Sequence, residues 1–126
     1  MQSLISTWFE RVWNNKEEEA IDTLFHENGT AYGLTEAHTI SGIENFKEFY
    51  KQYREQTDSF EVHVEKEIIQ NQYETALCIV TVERGKEKVC FPAVAMIEIK
   101  NGKIFKAWNH FDDLANMLFS GALKKQ

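Results

Sequence analysis

The segment TALCIVTVERGKEKVCFPAVAMIEIKNGKIFKAWNHF, residues 75–111, decides the fold of this chain. It divides into three long stretches, Thr75–Arg84, Glu87–Lys100 and Lys103–Phe111, and alternate residues along much of each stretch are apolar. A period of two is typical of strands that bury one face of a sheet. The segment therefore predicts three consecutive strands that share a buried face.

Two dipeptides join these three strands. Gly85-Lys86 suits a two-residue hairpin turn, and Asn101-Gly102 is the strongest hairpin signal in the chain. The first hairpin would set Cys90 opposite Thr81 rather than opposite Cys78, so we expect both cysteines to be free, buried thiols. The turns predict that the three strands form an antiparallel meander.

A fourth strand and an aromatic helix precede the meander. Phe60, Val62 and Val64 alternate with polar residues before a turn near Asn71, which predicts another long strand. Further upstream, Ser41-Gly42-Ile43-Glu44 matches a capping box, in which the serine side chain caps a helix and the glutamate reaches back to the capping residue. Four aromatic residues then recur at helical spacing, namely Phe46, Phe49, Tyr50 and Tyr53. This helix must cover an apolar surface.

The N-terminal part of the sequence predicts two helices and a short strand. Apolar residues four apart between Leu4 and Trp13 indicate the first helix. Asn14-Asn15 can cap a second helix, whose buried face would consist of Ala20, Ile21, Leu24 and Phe25. Asn28-Gly29 reads as a turn, and Thr30–Tyr32 as a short strand that runs into a loop at Gly33–Thr39.

The C-terminal part predicts one more helix. Asp112 can cap it, its apolar residues would be Leu114, Met117 and Leu118, and Gly121 is placed to end it.

This order of elements predicts a single α+β domain over residues 1–126, because the helices are segregated from an antiparallel sheet. We expect a strongly curved sheet that forms a cone, with the three helices of the N-terminal half over its concave face and the short helix at the C-terminus. The outer face mixes charged residues with Met96 and Trp108. We therefore expect this convex face to pair with a second copy of the chain in a homodimer.

Composition excludes several classes of partner. The chain has 20 acidic and 14 basic residues, a net charge of -6, and no basic stripe, which argues against nucleic acid as a partner. Glu10 and Arg11 interrupt the first apolar stretch, so we expect no membrane segment and a cytoplasmic protein. His26, His63 and His110 lack the spacing of metal ligands, and we expect neither a metal nor a cofactor.

Three stretches resemble the SnoaL-like and ketosteroid-isomerase-like branch of the nuclear-transport-factor-two-like superfamily. They are WFERVWNNKEEEAIDTLFHENGTAY (residues 8–32), SGIENFKEFY (residues 41–50) and NGKIFKAWNHFD (residues 101–112). The resemblance implies a cystatin-like α+β barrel, an internal pocket and dimerisation. It does not imply one reaction, because this superfamily hosts isomerases, hydrolases, cyclases and binding domains.

The resemblance can be tested against the ketosteroid isomerase reaction, which needs a carboxylate base, a hydroxyl donor and a protonated aspartate. Alignment of the matching segments places Gly33 at the position of the base, Phe9 at that of the hydroxyl donor and Ala95 near that of the aspartate. None of these side chains can perform the chemistry. The isomerase activity is therefore not expected here.

Asn109 replaces an acid that SnoaL-like relatives often carry in a W-D-x-x-D ending, which reads Trp108-Asn109-His110-Phe111-Asp112 in this chain. By alternation, Asn109 shares a face with Phe105, Ala107 and Phe111, and we expect that face to line the pocket. An amide can orient a carbonyl or hydroxyl group but cannot act as a base near neutral pH.

We expect a small, apolar ligand in the pocket, with contacts from Trp13, Tyr32, Phe49, Tyr53, Phe91 and Asn109. The function most consistent with the sequence is a SnoaL-like domain that binds a small hydrophobic molecule, with no assigned reaction. The alternative is an isomerase, a polyketide-cyclase-like enzyme or a hydrolase with a non-standard base. His38, in the loop before the aromatic helix, is the candidate for that base.

Overall fold

The computed structural model describes residues 2–34 and 39–111. The helical elements are α1 (Leu4–Trp8), a π-helical turn (Phe9–Asn14), α2 (Ala20–Leu24) and α3 (Ile43–Gln56). The strands are β1 (Phe25–Tyr32), β2 (Ile40–Ser41), β3 (Ser59–Gln70), β4 (Tyr73–Arg84), β5 (Glu87–Lys100) and β6 (Lys103–Phe111). The predicted loop residues 35–38 and the predicted C-terminal helix lie outside the described residues.

Six strands form one curved sheet in the order β2-β1-β6-β5-β4-β3. All neighbouring strands are antiparallel except β1 and β6, which run parallel. Arg84 pairs with Glu87 and Lys100 with Lys103, so both two-residue turns are confirmed. The second turn holds Asn101 and Gly102 at φ of +55° and +76°, the left-handed conformation that a tight hairpin requires.

Two bulges bend the long strands. Glu65 is the extra residue where β3 pairs with β4, and Phe105 is the extra residue where β6 pairs with β5. A bulge increases local twist and turns the following side chains. The alternation of β6 predicted that Phe105 faces the pocket, and the bulge makes this prediction wrong at the start of the strand. Ile104 is the fully buried residue there, and Phe105 packs against the ring of His26.

The helices cover the concave face of the sheet, as predicted. Their junction with it is aromatic: Trp8, Phe25 and Phe46 pack together, with ring centroids 4.9–5.7 Å apart. Phe25, which the pattern placed in the second helix, begins β1, and Asn28-Gly29 lie within that strand instead of forming a turn. The rim of the Phe25 ring leaves no room for a side chain at residue 29.

The predicted capping box at the start of α3 is wrong. Ser41 is held in β2 by pairing with Thr30 in β1, so its hydroxyl does not reach the helix. Gly42 caps α3 without any side-chain hydrogen bond, and its φ of +88° turns the chain from strand to helix. Only glycine adopts this conformation without strain.

α1 is tied to the sheet at its first turn. The backbone N–H of Ile5 donates to the carboxylate of Glu74 at 2.8 Å, which satisfies a donor that no helical carbonyl can reach. The hydroxyls of Ser3 and Ser6 both donate to Glu67 on β3. These bonds place the α1 residues Ile5 and Trp8 over the sheet, where both are buried.

The π-helical turn is anchored on both sides. Asn14 was predicted to cap α2, but its amide pairs with Val62 on the edge strand β3, donating to the carbonyl at 2.9 Å and accepting from the N–H at 2.7 Å. On the other side, the Tyr50 hydroxyl of α3 donates to the carbonyl of Val12 at 2.6 Å. A wider helical turn is thereby fixed between the sheet edge and α3.

Among the described helices, none has the length and apolar character needed to cross a membrane.

We expect Asn14→Leu to lower the free energy of unfolding by about 1–3 kcal/mol, because two hydrogen bonds are lost and the polar backbone of the buried residue Val62 is left unpaired. Urea unfolding followed by circular dichroism measures this change. Asn15→Leu is the matched control, since Asn15 is exposed and should change the stability by about 0.5 kcal/mol or less. Equal effects of the two variants would contradict the anchoring role of Asn14.

Candidate functional site

A cavity lies between the concave face of the sheet and the helices. The space that it offers to the centre of a water molecule is about 50 Å³. The helical side contributes Trp8, Phe9, Trp13, Phe46, Phe49 and Tyr53, and the strands and their ends contribute Phe25, Ala31, Leu34, Phe60, Val62, Cys78, Val80, Ala93, Val94, Ala95, Ala107 and Asn109. The lining is therefore almost entirely apolar.

One end of the cavity is a cluster of aromatic rings. Trp13 from the π-helical turn packs against Phe60 of β3 at 4.7 Å and edge-on against Tyr53 of α3 at 5.8 Å, measured between ring centroids. Tyr53 in turn stacks with Phe49 at 5.8 Å. Tilted and edge-to-face packing of this kind is favourable beyond the area that it buries. The rings form a firm wall, because each one is held by its neighbours.

Among the described lining residues, Asn109 has the only amide side chain. Its Nδ2 donates to the backbone carbonyl of Tyr32 in the parallel strand β1, at 2.9 Å. Gly33, at φ +83°, follows directly, and any side chain there would collide with the Asn109 carbonyl. The chain can therefore approach Asn109 closely only with glycine at residue 33. This close approach fixes the amide against β1.

The titratable groups of the described lining are Cys78 and Tyr53. Burial of the Cys78 thiol, which is 1% exposed, raises its pKa to about 11, and the charge of Glu67 adds to the effect. Burial also raises the pKa of the Tyr53 hydroxyl, against a smaller opposing effect of Arg84 and Arg54. Both groups are consequently neutral near pH 7, so neither is a ready base.

Four of the predicted ligand-contact residues line the cavity: Trp13, Phe49, Tyr53 and Asn109. The side chain of Tyr32 does not, because its ring stacks on Trp108 on the opposite face of the sheet at 5.8 Å. Only the carbonyl of Tyr32 takes part, through Asn109. Phe91 is buried further along β5 and does not line the cavity. His38 lies outside the described residues.

The positions aligned with the ketosteroid isomerase machinery also lie at this site. Phe9 and Ala95 both line the cavity, and both are apolar. Gly33 abuts the backbone of Asn109, where even a methyl group would clash. A carboxylate at residue 33 would thus require β1 to move. The positions coincide with a pocket, but their side chains supply no acid or base.

The remaining polar candidates lie away from the cavity. His63 and His110 are exposed, as predicted, and His26 packs against Phe105. Cys90 pairs with Thr81 as predicted but is exposed, since it follows the turn on the outer face, so the prediction of a second buried thiol is wrong. In residues 2–34 and 39–111, no group of three His, Cys, Asp or Glu side chains is arranged to hold a metal ion.

Sequence reasoning missed several lining residues, among them Phe25, Leu34 and Cys78. Cys78 shares the inward phase of β4 with Ala76 and Val80, so the alternation of that strand could have identified it. Phe25 and Leu34 lay in segments assigned to a helix and a loop. No local pattern marks them as cavity residues.

A curved, unclosed sheet with a helical cover and an apolar cavity between them defines an α+β fold. The family model of the SnoaL-like domain matches residues 5–107, and the chain belongs to this family. A search of proteins with curated descriptions found no match.

Solved structures of the same fold cover nearly the whole chain. A candidate polyketide cyclase from Bacillus cereus ATCC 10987 is 21% identical over 96% of this chain and 80% of its own, with a TM-score of 0.79. A protein with a ketosteroid isomerase-like fold from Catenulispora acidiphila DSM 44928, solved with trimethylamine, is 15% identical over 96% and 94%, with a TM-score of 0.82. An LEH-like epoxide hydrolase from M. tuberculosis is 13% identical over 94% and 87%, with a TM-score of 0.79.

The two thiols should differ sharply in reactivity at pH 8. A pKa near 11 lowers the thiolate fraction of Cys78 about 100-fold relative to a free thiol, and burial lowers its reaction rate further. Titration with Ellman's reagent should therefore label one thiol per folded chain, Cys90, and two in guanidinium chloride. The Cys90→Ser variant isolates Cys78, and its rapid labelling in the folded protein would contradict this placement.

Proposed function

We propose that this SnoaL-like domain binds a small, largely hydrophobic molecule in the cavity, with Trp13, Phe49 and Tyr53 as apolar walls and Asn109 as the orienting group. The observation that carries the proposal is the composition of the lining, in which one amide stands among aromatic and aliphatic side chains. Apolar enclosure with a few placed polar groups is the usual character of a ligand site.

Binding without proton transfer is the function that the lining favours. A general base must hold its proton weakly near the working pH, whereas burial keeps Cys78 and Tyr53 protonated. The structural neighbours support a small-molecule site in this fold, since they are described as a candidate cyclase, an epoxide hydrolase and a trimethylamine complex. At identities of 13–21% they support no particular reaction for this chain.

Xenon tests the cavity directly, because it is apolar and of a size that occupies small protein cavities. We expect xenon to shift backbone NMR signals of the cavity residues, and Ala95→Leu, which adds a side chain inside the cavity, to abolish the shifts. Met96→Leu is the matched control on the same strand, since its side chain points to the other face. Unchanged spectra of the folded wild-type protein under xenon would refute the proposed cavity function.

We also propose that the protein is a homodimer through its convex sheet face. Leu77 and Val94 pair across β4 and β5 and are 40% and 43% exposed, and beside them Met96 pairs with Trp108. These four residues form an apolar convex patch. A patch on one side of a sheet can meet its own copy about a two-fold axis, which buries the apolar side chains of both subunits. The cytoplasmic location remains a prediction.

Charge at the centre of the convex patch should disrupt this dimer. We expect the wild-type protein to sediment as a dimer, and Leu77→Glu with Val94→Glu to sediment as a monomer, since four buried carboxylates would lie close together across the axis. Lys51→Glu is the control, because Lys51 is exposed on α3, which lies on the concave side of the sheet away from the patch. A monomeric wild-type protein in analytical ultracentrifugation would refute the dimer.

A further inference from the structure

The orientation of the Asn109 amide is determined by its neighbours. The group that faces the Tyr32 carbonyl must be the NH₂, because two oxygens at 2.9 Å would repel each other. The position of β1 is itself fixed, since Tyr32 lies opposite Trp108 in the sheet and Gly33 abuts the Asn109 backbone. The amide therefore cannot turn over to suit a different ligand without losing the bond to β1.

This orientation leaves the Oδ1 atom of Asn109 as a fixed acceptor. Within the described part of the chain, no group donates a hydrogen bond to Oδ1, while the Nδ2 of the same amide is engaged. Asn109 is half-buried beside apolar residues, and a ligand that displaced water from Oδ1 without donating a hydrogen bond would leave this acceptor unpaired. A ligand that donates a hydrogen bond would satisfy this acceptor. A ligand that offers only acceptors would place its oxygen against Oδ1.

The size and charge of the cavity restrict the ligand further. About 50 Å³ is open to the centre of a water molecule, which is more than a single fixed water position requires, so a small molecule of a few heavy atoms fits without rearrangement. No side chain of the described lining is charged near pH 7, so a charged ligand would lose its hydration without gaining a partner. These limits favour a compact, neutral molecule.

We propose that the cavity selects a small neutral alcohol, whose hydroxyl donates to Oδ1 of Asn109 while its alkyl part packs against the aromatic wall of Trp13, Phe49 and Tyr53. This proposal rests on the proposed binding function and adds the class of ligand. The alkyl part gains from leaving water, and the hydroxyl keeps one hydrogen bond inside the cavity.

Propan-2-ol and acetone form the matched pair of probes. Each has four heavy atoms of similar shape, but only propan-2-ol can donate a hydrogen bond. We expect propan-2-ol to bind about 5- to 10-fold more tightly than acetone in titrations followed by ¹⁵N NMR, which corresponds to one hydrogen bond retained in an apolar site. The Asn109→Leu variant should bind the two compounds equally. His110→Leu, on the same strand but exposed, should preserve the preference.

The outcomes distinguish failure of the alcohol proposal from failure of the proposed binding function. Equal affinities in the wild-type protein would overturn selection by Oδ1, and tighter binding of acetone would show that an N–H of Asn109 faces the ligand instead. If xenon binds but neither compound does, the alcohol proposal fails and the cavity function stands. If xenon fails as well, both fail. The wild-type comparison decides the matter even where Asn109→Leu does not fold.

Discussion

The attachment of one π-helical turn to the sheet is the constraint on which the cavity depends. Asn14 bonds the backbone of the edge strand at Val62, and Tyr50 bonds the carbonyl of Val12. Between these two anchors the turn carries Phe9 and Trp13 to the cavity. π-helical turns are rare and occur frequently at functional sites. Here both side chains of the turn line the cavity.

The same attachment protects the edge of the sheet. β3 ends the strand order, and an exposed edge offers unpaired backbone groups to other chains. The amide of Asn14 occupies the donor and the acceptor of Val62 together, as a neighbouring strand would. One side chain thus closes part of the edge and positions the wall of the cavity. The two roles follow from a single pair of hydrogen bonds.

The two faces of the sheet carry different groups of residues. On β6, Asn109 and Ala107 face the cavity, whereas Trp108 lies outside and stacks with Tyr32. Because β1 pairs in parallel with β6, Tyr32 makes contacts on both faces of the sheet. Its backbone carbonyl accepts a hydrogen bond from Asn109 in the cavity, and its ring stacks on Trp108 on the outer face. Ligand binding and dimerisation, as proposed, would use adjacent residues, and Val94 of β5 belongs to both the cavity lining and the convex patch.

The sequence by itself determined the meander, both tight turns, the pairing of Cys90 with Thr81 and the inward side of Asn109. These features follow from a period of two and from turn residues, which act over a few positions. Only the tertiary structure decided the extent of β1, the cap of α3, the partner of Asn14 and the outward ring of Tyr32. Each of these depends on a contact between segments that are distant in the chain. The turn and capping preferences of the local sequence are overridden where pairing in the sheet gives more backbone groups a hydrogen-bond partner.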